Sequence, residues 1–508
     1  MIRRCLIMVS MLLLLASCRK KEPETVLTAI RVELQEAGAF RASFKVQAVQ
    51  CSCISYGLSE DMPMSVNTPS AGVEQVSLSL DGLEPLSDYI LYAQGIGPKG
   101  EKGSVVKLAF STVAGPSSLY PWEKARQAVP AFADISLVTL GRHNYNPPAW
   151  TRERFDSHVR YTDADGAQHW LFDAFLCIDG WDGARGLSYS IANNRHSAIK
   201  ESWEDLLDAW LGADGALLQL DAAIESAKAS LGRPPHPRYI VMSLPDPIRY
   251  EYFSDKSSAS VYWGDLDGKA LDFSSTDDQL AAYKWYMDRC RELFHARLFN
   301  NLELAGFYIL SEELPLEPAF YTANGESYGY GDTYNWEYKN WEILVPQVAS
   351  YAHSCVEGLW WIPYHLAPGY KVWRPLGFDN VFMQPNYYWD HDSVSHPMES
   401  TVEALKRYRM GIEIEFEYSL VAEVMSDGRS GPDGSGNPTF YLADVPMLRS
   451  RVREYMDAYR SSGMYGVKPV AVYSGTDAWH QLASSKEKDD IAMYLELCRF
   501  ISENPLKK

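Results

Sequence analysis

The chain reads as a multidomain protein, an all-β sandwich followed by a (β/α)8 TIM barrel. Three observations predict this. Its 508 residues exceed what one hydrophobic core usually supports. Short alternating apolar runs with turn signals between them fill the first fifth of the chain, as in stacked antiparallel sheets. From about Trp122 onward, short apolar runs alternate instead with amphipathic helical stretches, the pattern of βα units. The expected division is a leader over 1–18, a tether over 19–26, a sandwich over 27–113, a linker over 114–121 and the barrel over 122–508.

The sandwich strands are expected at Phe40 to Val49, Ser52 to Tyr56, Val76 to Leu80, Tyr89 to Gly95 and Val105 to Ser111. The stretch Leu80-Asp-Gly-Leu-Glu-Pro-Leu-Ser-Asp-Tyr89-Ile-Leu-Tyr-Ala93 resembles the fibronectin type III pattern, in which a buried tyrosine closes the corner before the penultimate strand. Such modules act as spacers, so no chemistry is assigned here. Gly95-Ile-Gly97-Pro98-Lys99-Gly100 matches a dinucleotide fingerprint only formally. Pro98 and the strand that follows exclude the required helix, which leaves a hairpin turn.

Eight barrel strands are expected: Ile135 to Leu140, Leu171 to Ile178, Arg238 to Leu244, Gly306 to Leu310, Gly358 to Pro363, Asn380 to Gln384, Ile412 to Phe416 and Pro469 to Tyr473. Helical patterns at His196 to Leu211, Leu217 to Leu231, Asp277 to Phe299, Trp336 to His353, Met398 to Arg409, Val445 to Arg460 and Asp489 to Ile501 fall between or after them. The alternative is a doubly wound open sheet.

At the N-terminus, Arg3 and Arg4 precede an apolar stretch from Leu6 to Leu15, and Leu15-Ala16-Ser17-Cys18 resembles a bacterial lipobox. The apolar stretch is shorter than the roughly 20 residues a membrane span needs. The expectation is an exported chain with Cys18 as the lipidated first residue, held at the outer membrane by that anchor alone. The other cysteines beyond the leader are sparse and form no disulfide framework. Lys plus Arg number 47 against 66 Asp plus Glu, and the net charge of -19 repels phosphate backbones, which argues against nucleic acid and suits a neutral partner. Aromatics make up 13% of residues, a supply that suits stacking on sugar rings as well as a large core.

In such barrels the site lies where the strands end. Those positions carry Arg142 and His143 after strand one, Asp179, Trp181 and Asp182 after strand two, and Asp246 after strand three. Glu312 and Glu313 follow strand four, Tyr364 and His365 strand five, and Gln384, Asn386, Tyr387 and Tyr388 strand six. Strand seven reads Ile-Glu413-Ile-Glu415-Phe-Glu417, and strand eight closes with Tyr473. Alternation puts the three glutamates of strand seven on one face, and the apolar face must meet the helices, so the glutamates point into the barrel. Folding asks for no such residues, since a buried carboxylate is costly unless paired. Glu413, the deepest, is assigned to a structural ion pair with a partner such as Arg142, while Glu415 and Glu417 are candidates for chemistry.

Glycosidic cleavage needs one carboxylic acid and one carboxylate. Strands four and seven supply both, and the arrangement resembles the clan of retaining barrel glycosidases whose acid/base ends strand four and whose nucleophile ends strand seven. The resemblance implies Glu312 or Glu313 as acid/base and Glu417 or Glu415 as nucleophile. It departs from the clan at Ser311, where an asparagine is usual. Residues from about 120 to the C-terminus are also similar to domain family 4855 of unknown function, found in lipoproteins of glycan-degrading gut-type bacteria, which implies a carbohydrate context and no particular reaction. No metal-helix spacing and no G-x-S-x-G elbow occurs, so neither metal, cofactor nor esterase chemistry is expected. A non-catalytic glycan-binding or scaffold lipoprotein is the rival reading, and it relies on the aromatics Trp181, Trp360, Trp361, Tyr387, Tyr388 and Trp389 as a stacking surface.

Overall fold

The computed structural model describes residues 28–38, 41–68, 73–81, 83, 87–112, 129–140, 149–191, 196–249, 262–325, 340–389, 398–432, 438–475 and 477–507. The lipobox, Arg142 and His143 lie outside them. The chain divides into two compact units, one over 1–37, 41–80 and 86–113, the other over 38–40, 81–85 and 114–508.

The first unit holds seven strands: β1 (Ala29–Ala37), β2 (Arg41–Val49), β3 (Cys53–Gly57), β4 (Met64–Asn67), β5 (Val73–Asp81), β6 (Asp88–Ile96) and β7 (Val106–Ser111). They form a three-stranded sheet in the order β1-β2-β5 and a four-stranded sheet in the order β4-β3-β6-β7. Alternate residues of β2, namely Ala42, Phe44, Val46 and Ala48, are buried, and Phe44 meets Phe110 of the other sheet edge-to-face at 5.1 Å. This is the expected all-β module, with two further strands, β1 and β4, in which few side chains are buried. Tyr89 is half-buried rather than fully buried, and it stacks on Phe110 at 5.6 Å. The glycine-rich stretch is a hairpin turn, closed by the Gly97 amide on the Glu101 carbonyl and the Gly100 amide on the Gly97 carbonyl.

The second unit contains a closed barrel of eight parallel strands, as expected: Asp134–Thr139, Ala174–Ile178, Arg238–Leu244, Leu302–Ile309, Gly358–Trp361, Asn380–Met383, Gly411–Glu415 and Val470–Tyr473. Helices surround it, and each expected helix is present with ends moved by a few residues. Four were missed: the short Pro318–Ala323, Ala422–Ser426 and Ala478–Ser484, and Arg152–Val159, whose sequence Arg-Glu-Arg-Phe-Asp-Ser-His-Val offers little apolar periodicity. Its identity comes from its caps and ion pairs instead. Thr151 accepts from the Arg154 amide at its start, and Arg154 and His158 both reach Asp477 beyond strand eight.

Strand four carries a bulge that matters for the site. Ile240 pairs with Leu304 but Val241 pairs with Gly306, so Ala305 is an extra residue and the facing of every later side chain is reset. Gly306 adopts φ 149°, and a Cβ there would lie 2.2 Å from the Gly358 carbonyl oxygen, so only glycine lets strands four and five approach this closely. Tyr308 follows the bulge and pairs with Trp360 and Ser243 on either side.

At the N-terminal end of the barrel, buried carboxylates are matched by cations. Lys507 lies 2.9 Å from Asp134 and 3.3 Å from Asp173, and Arg238 lies 3.7 Å from Asp173. The pairing offsets part of the desolvation; burial still pushes Asp134 up to about 7 and holds Arg238 below its usual range. No described helix is long and apolar enough to cross a membrane.

Candidate active site

The opposite, C-terminal end gathers carboxyl groups. Strand seven presents Glu413 and Glu415, of which Glu415 pairs in register with Tyr473 of strand eight. Tyr473 is desolvated, and its hydroxyl feels the charge of Glu417, Glu413, Glu312 and Glu415, which together hold its proton well above the usual phenol range. Tyr308 is buried beneath the same space, and its hydroxyl feels Glu312, Glu413 and Asp246. Two tyrosines with overlapping neighbours therefore draw Asp246, Glu312, Glu413, Glu415 and Glu417 to one mouth. No ion pair reaches any of these five groups among the described residues.

Each group answers its environment differently. Glu312 is solvent-accessible yet closely walled, and burial, then the charge of Glu313, push its carboxyl up to about 7. A side chain that water can touch but cannot fully solvate is what a deep cleft produces. Glu417 is partly accessible and is pushed to about 7 by desolvation alone. Neither carboxyl receives a hydrogen bond among the described residues. Glu415 has no accessible surface, and burial pushes it to about 8 against three donors. Its Oε2 accepts from the Asn386 amide at 2.8 Å and from the Tyr455 hydroxyl at 2.9 Å, and Gln384 also bonds the carboxyl. Its Oε1 is buried with no donor. Glu413 is 3% exposed and is raised well above the carboxylate range by burial and by Glu415 and Glu312. Arg142, the partner named for Glu413, lies outside the described residues; among the described ones the neighbours of Glu413 are Glu415, Glu312 and three tyrosines, Tyr308, Tyr455 and Tyr473. Asp246 is raised to about 7 by burial, in spite of bonds from the backbone of Ile191 and Ser311.

The remaining candidates separate into two groups. Glu313 accepts from the Tyr364 hydroxyl, beyond strand five, at 2.7 Å, and its charge acts on Glu312. Asp182 is buried but held below the usual range by Arg185 and Ser202, and it also accepts from the amides of Ala184 and Arg185, so it organises its own loop rather than facing a ligand. His365 is buried between Ser400 and Thr401 of the helix Met398–Tyr408. Tyr387 bonds Glu454, and Tyr388 is fully buried with its hydroxyl 2.8 Å from Ser419 Oγ. The Tyr387 side chain and the Tyr388 backbone tie the loop after strand six to the helix Val445–Ser461, while the Tyr388 ring packs on Trp389 and Phe440, so both rings, expected at the sugar, are taken by packing. Trp360 and Trp361 are likewise core residues. Of the aromatics expected at the mouth, Trp181 and Trp389 keep accessible surface, and Trp389 lies 6.3 Å from Tyr473. Asp179 is buried at the end of strand two, with Oδ1 accepting from Gly180. Gln384 and Asn386 serve Glu415 and bond each other at 3.1 Å.

Sequence reasoning missed Tyr308 and Tyr455. Tyr308 sits inside a strand whose bulge no periodicity announces. Tyr455 belongs to a surrounding helix, where a tyrosine reads as core.

The family model for a domain of unknown function, DUF4855, matches residues 134–323 and 325–429, more than half of the chain. The chain belongs to the DUF4855 family. The matched DUF4855 region begins at barrel strand one and takes in Asp246, Glu312, Glu413, Glu415 and Glu417, while strand eight with Tyr473 lies beyond it. No curated protein matches the chain in sequence. Among solved structures, a Bacteroides ovatus GH5 xyloglucanase in complex with a XXXG heptasaccharide is similar at 11% identity, with 92% of this chain and 99% of that chain covered and a TM-score of 0.34. A calcium-binding mutant of Bacteroides uniformis beta-glucuronidase 2 is similar at 8% identity, over 90% of this chain and 50% of that one, with a TM-score of 0.31. A glycosyl hydrolase family 2 member from Bacteroides cellulosilyticus is similar at 9% identity, over 90% and 49%, with a TM-score of 0.24. None of these likenesses assigns a residue of this chain.

Proposed function

We propose that this chain is a retaining glycoside hydrolase in which Glu312 is the acid/base and Glu417 the nucleophile. The observation that carries the reading is the pairing of properties in these two groups. They follow barrel strands four and seven, they are the members of the glutamate cluster with accessible surface, both are desolvated to about 7, and the charge of both reaches Tyr473. A nucleophile must touch the anomeric carbon, which disfavours Glu415 with no accessible surface. Glu313 is engaged with Tyr364, a bond that Glu312 lacks among the described residues.

In the first step the Glu312 proton passes to the glycosidic oxygen as the bond from that oxygen to the anomeric carbon breaks, and a Glu417 oxygen bonds that carbon. In the second step a water oxygen attacks the same carbon, its proton goes to the Glu312 carboxylate, and the bond to Glu417 breaks. Desolvation holds both carboxyls at about 7, so the mouth retains protons near neutrality and has one to donate. The rival reading, a silent glycan binder, is weakened by the burial of Trp360, Trp361, Tyr387 and Tyr388, which removes most of its stacking surface.

Incubating the purified chain with a panel of plant, host and microbial glycans tests this. Reducing-end products are expected, with turnover lowered about 10²–10⁴-fold or more by Glu312→Gln or Glu417→Gln. Binding without product by the unmodified chain contradicts a hydrolase.

A further inference from the structure

The Glu312 side chain is exposed, yet the backbone that carries it is held from several directions. The amide of Ser311, the residue before it, donates to the carboxyl of Asp246 beyond strand three. The Ser311 carbonyl accepts from the Trp361 indole of strand five at 2.7 Å, and the Ser311 hydroxyl donates to the Glu313 carbonyl at 2.9 Å. The Glu312 carbonyl accepts from the Tyr364 amide at 3.3 Å. Asp246 is itself fixed: its amide donates to the Tyr189 carbonyl at 2.7 Å, and its Oδ2 accepts from the Ile191 amide at 3.0 Å. One carboxyl therefore joins the loop after strand two to the segment from which Glu312 projects. At 2% exposure Asp246 serves the chain rather than a ligand, which moves it out of the substrate-binding role expected for it.

These bonds do not by themselves require an acid. An asparagine offers the same acceptor oxygen without a group that is costly to ionise in a buried place. What the carboxyl adds is an ionisable neighbour for Glu312, whose charge acts on Asp246. Two acids in one site do not ionise independently, because the charge of one makes the other hold its proton more tightly.

We propose that Asp246 is a positioning residue for Glu312, setting the place of its carboxyl through the Ser311 amide and acting on its proton through charge. This rests on the hydrolase reading of Glu312 and adds a residue that touches no substrate. Among the described residues, the other titratable groups that interact with Glu312 are Glu313, Glu413, Glu415, Tyr308 and Tyr473. Those that interact with Asp246 are Tyr283 and Tyr308.

Two variants of the full chain separate bond from charge: Asp246→Asn keeps an acceptor for the Ser311 amide, and Asp246→Ala removes both. Carbon NMR of isotope-labelled aspartate and glutamate carboxyl groups reads the two midpoints without substrate. Asp246→Asn is expected to lower the Glu312 midpoint by about half a pH unit or more. Glu312→Gln, at an exposed position, is expected to lower the Asp246 midpoint equally, since coupling is reciprocal, and it keeps the test available if neither Asp246 variant folds. Unmoved midpoints overturn the inference. On the glycan that the chain cleaves, Asp246→Ala is expected to lower kcat about tenfold or more with KM within about threefold. For the dinitrophenyl glycoside of the same sugar, whose leaving group departs without a proton, kcat/KM is expected to fall less than about threefold. Equal losses on both substrates mark a structural role alone and overturn the positioning. Moved midpoints in a chain that releases no product from any glycan remove the hydrolase and keep the coupled acids, whereas product release with unmoved midpoints does the reverse.

Discussion

The Tyr455 hydroxyl donates to Glu415 Oε2 at 2.9 Å and accepts from the Tyr388 amide at 2.7 Å, so one phenol on the helix Val445–Ser461 joins the loop after strand six to the acid ladder of strand seven. Tyr455→Phe leaves the buried Tyr388 amide without an acceptor, a cost of about 1–3 kcal/mol, and takes from Glu415 Oε2 one of its donors while the Asn386 amide stays. The expected outcome is a cooperatively folded variant with a lowered melting temperature and turnover reduced more than substrate affinity. Unchanged thermal stability contradicts the relay.

The bulge of strand four gives a second prediction. A Cβ at position 306 meets the Gly358 carbonyl oxygen at 2.2 Å, and backbone atoms on both sides must move to relieve it. Gly306→Ala is expected to destabilise the barrel by about 3 kcal/mol or more, since strain at a special backbone position adds to overpacking. Chemical denaturation measures it, and a loss below about 1 kcal/mol shows that strand four has another way to pass strand five.

How much of this was legible beforehand differs between fold and site. All eight barrel strands could be read because each is a short apolar run between helices, and the period-2 placement of Glu413 and Glu415 against Ile412 and Ile414 disclosed an acidic lumen. The helix Arg152–Val159 could not, because its stability comes from Arg154 and His158 meeting Asp477 more than three hundred residues away. Which glutamate of Glu312 and Glu313 enters the mouth was open for the same kind of reason: it depends on the bulge at Ala305 and the bend after Ile309. The burial of Tyr387 and Tyr388 was equally hidden, since a loop aromatic looks alike whether it meets a sugar or a neighbouring helix.

Stability is expected to depend on pH in a defined direction. Glu312 and Glu417 sit at about 7 and Glu415 at about 8 when folded, against an ordinary value of 4.5 for the unfolded chain. Between 4.5 and about 8 the folded state binds more protons than the unfolded one, so stability is full below 4.5 and is lost as pH rises through the folded values. The melting temperature should therefore fall from pH 5 to pH 8. Glu413→Gln, which removes one buried acid, should melt about 2 °C or more above the parent at pH 8 and level with it at pH 4. A parent that becomes more stable across this range refutes the charge-frustrated mouth.

The N-terminal expectations carry their own test. Cys18→Ala should leave the precursor uncleaved by the lipoprotein peptidase and cost it stable membrane anchoring. A variant that still fractionates as a mature membrane lipoprotein removes the proposed anchor. A chain starting near Leu119 is expected to give a soluble, cooperatively melting barrel. Failure to do so would make the sandwich part of the barrel's folding unit.

The most direct test of the central assignment is the configuration of the first product formed from any glycan the chain cleaves, followed by proton NMR of the anomeric signal before mutarotation. Attack by Glu417 and then by water, each from the face opposite the departing group, returns the anomeric carbon to its starting configuration. The account predicts that the retained anomer appears first and that Glu417→Gln abolishes its formation. An inverted first product, or undiminished turnover in Glu417→Gln, would contradict it.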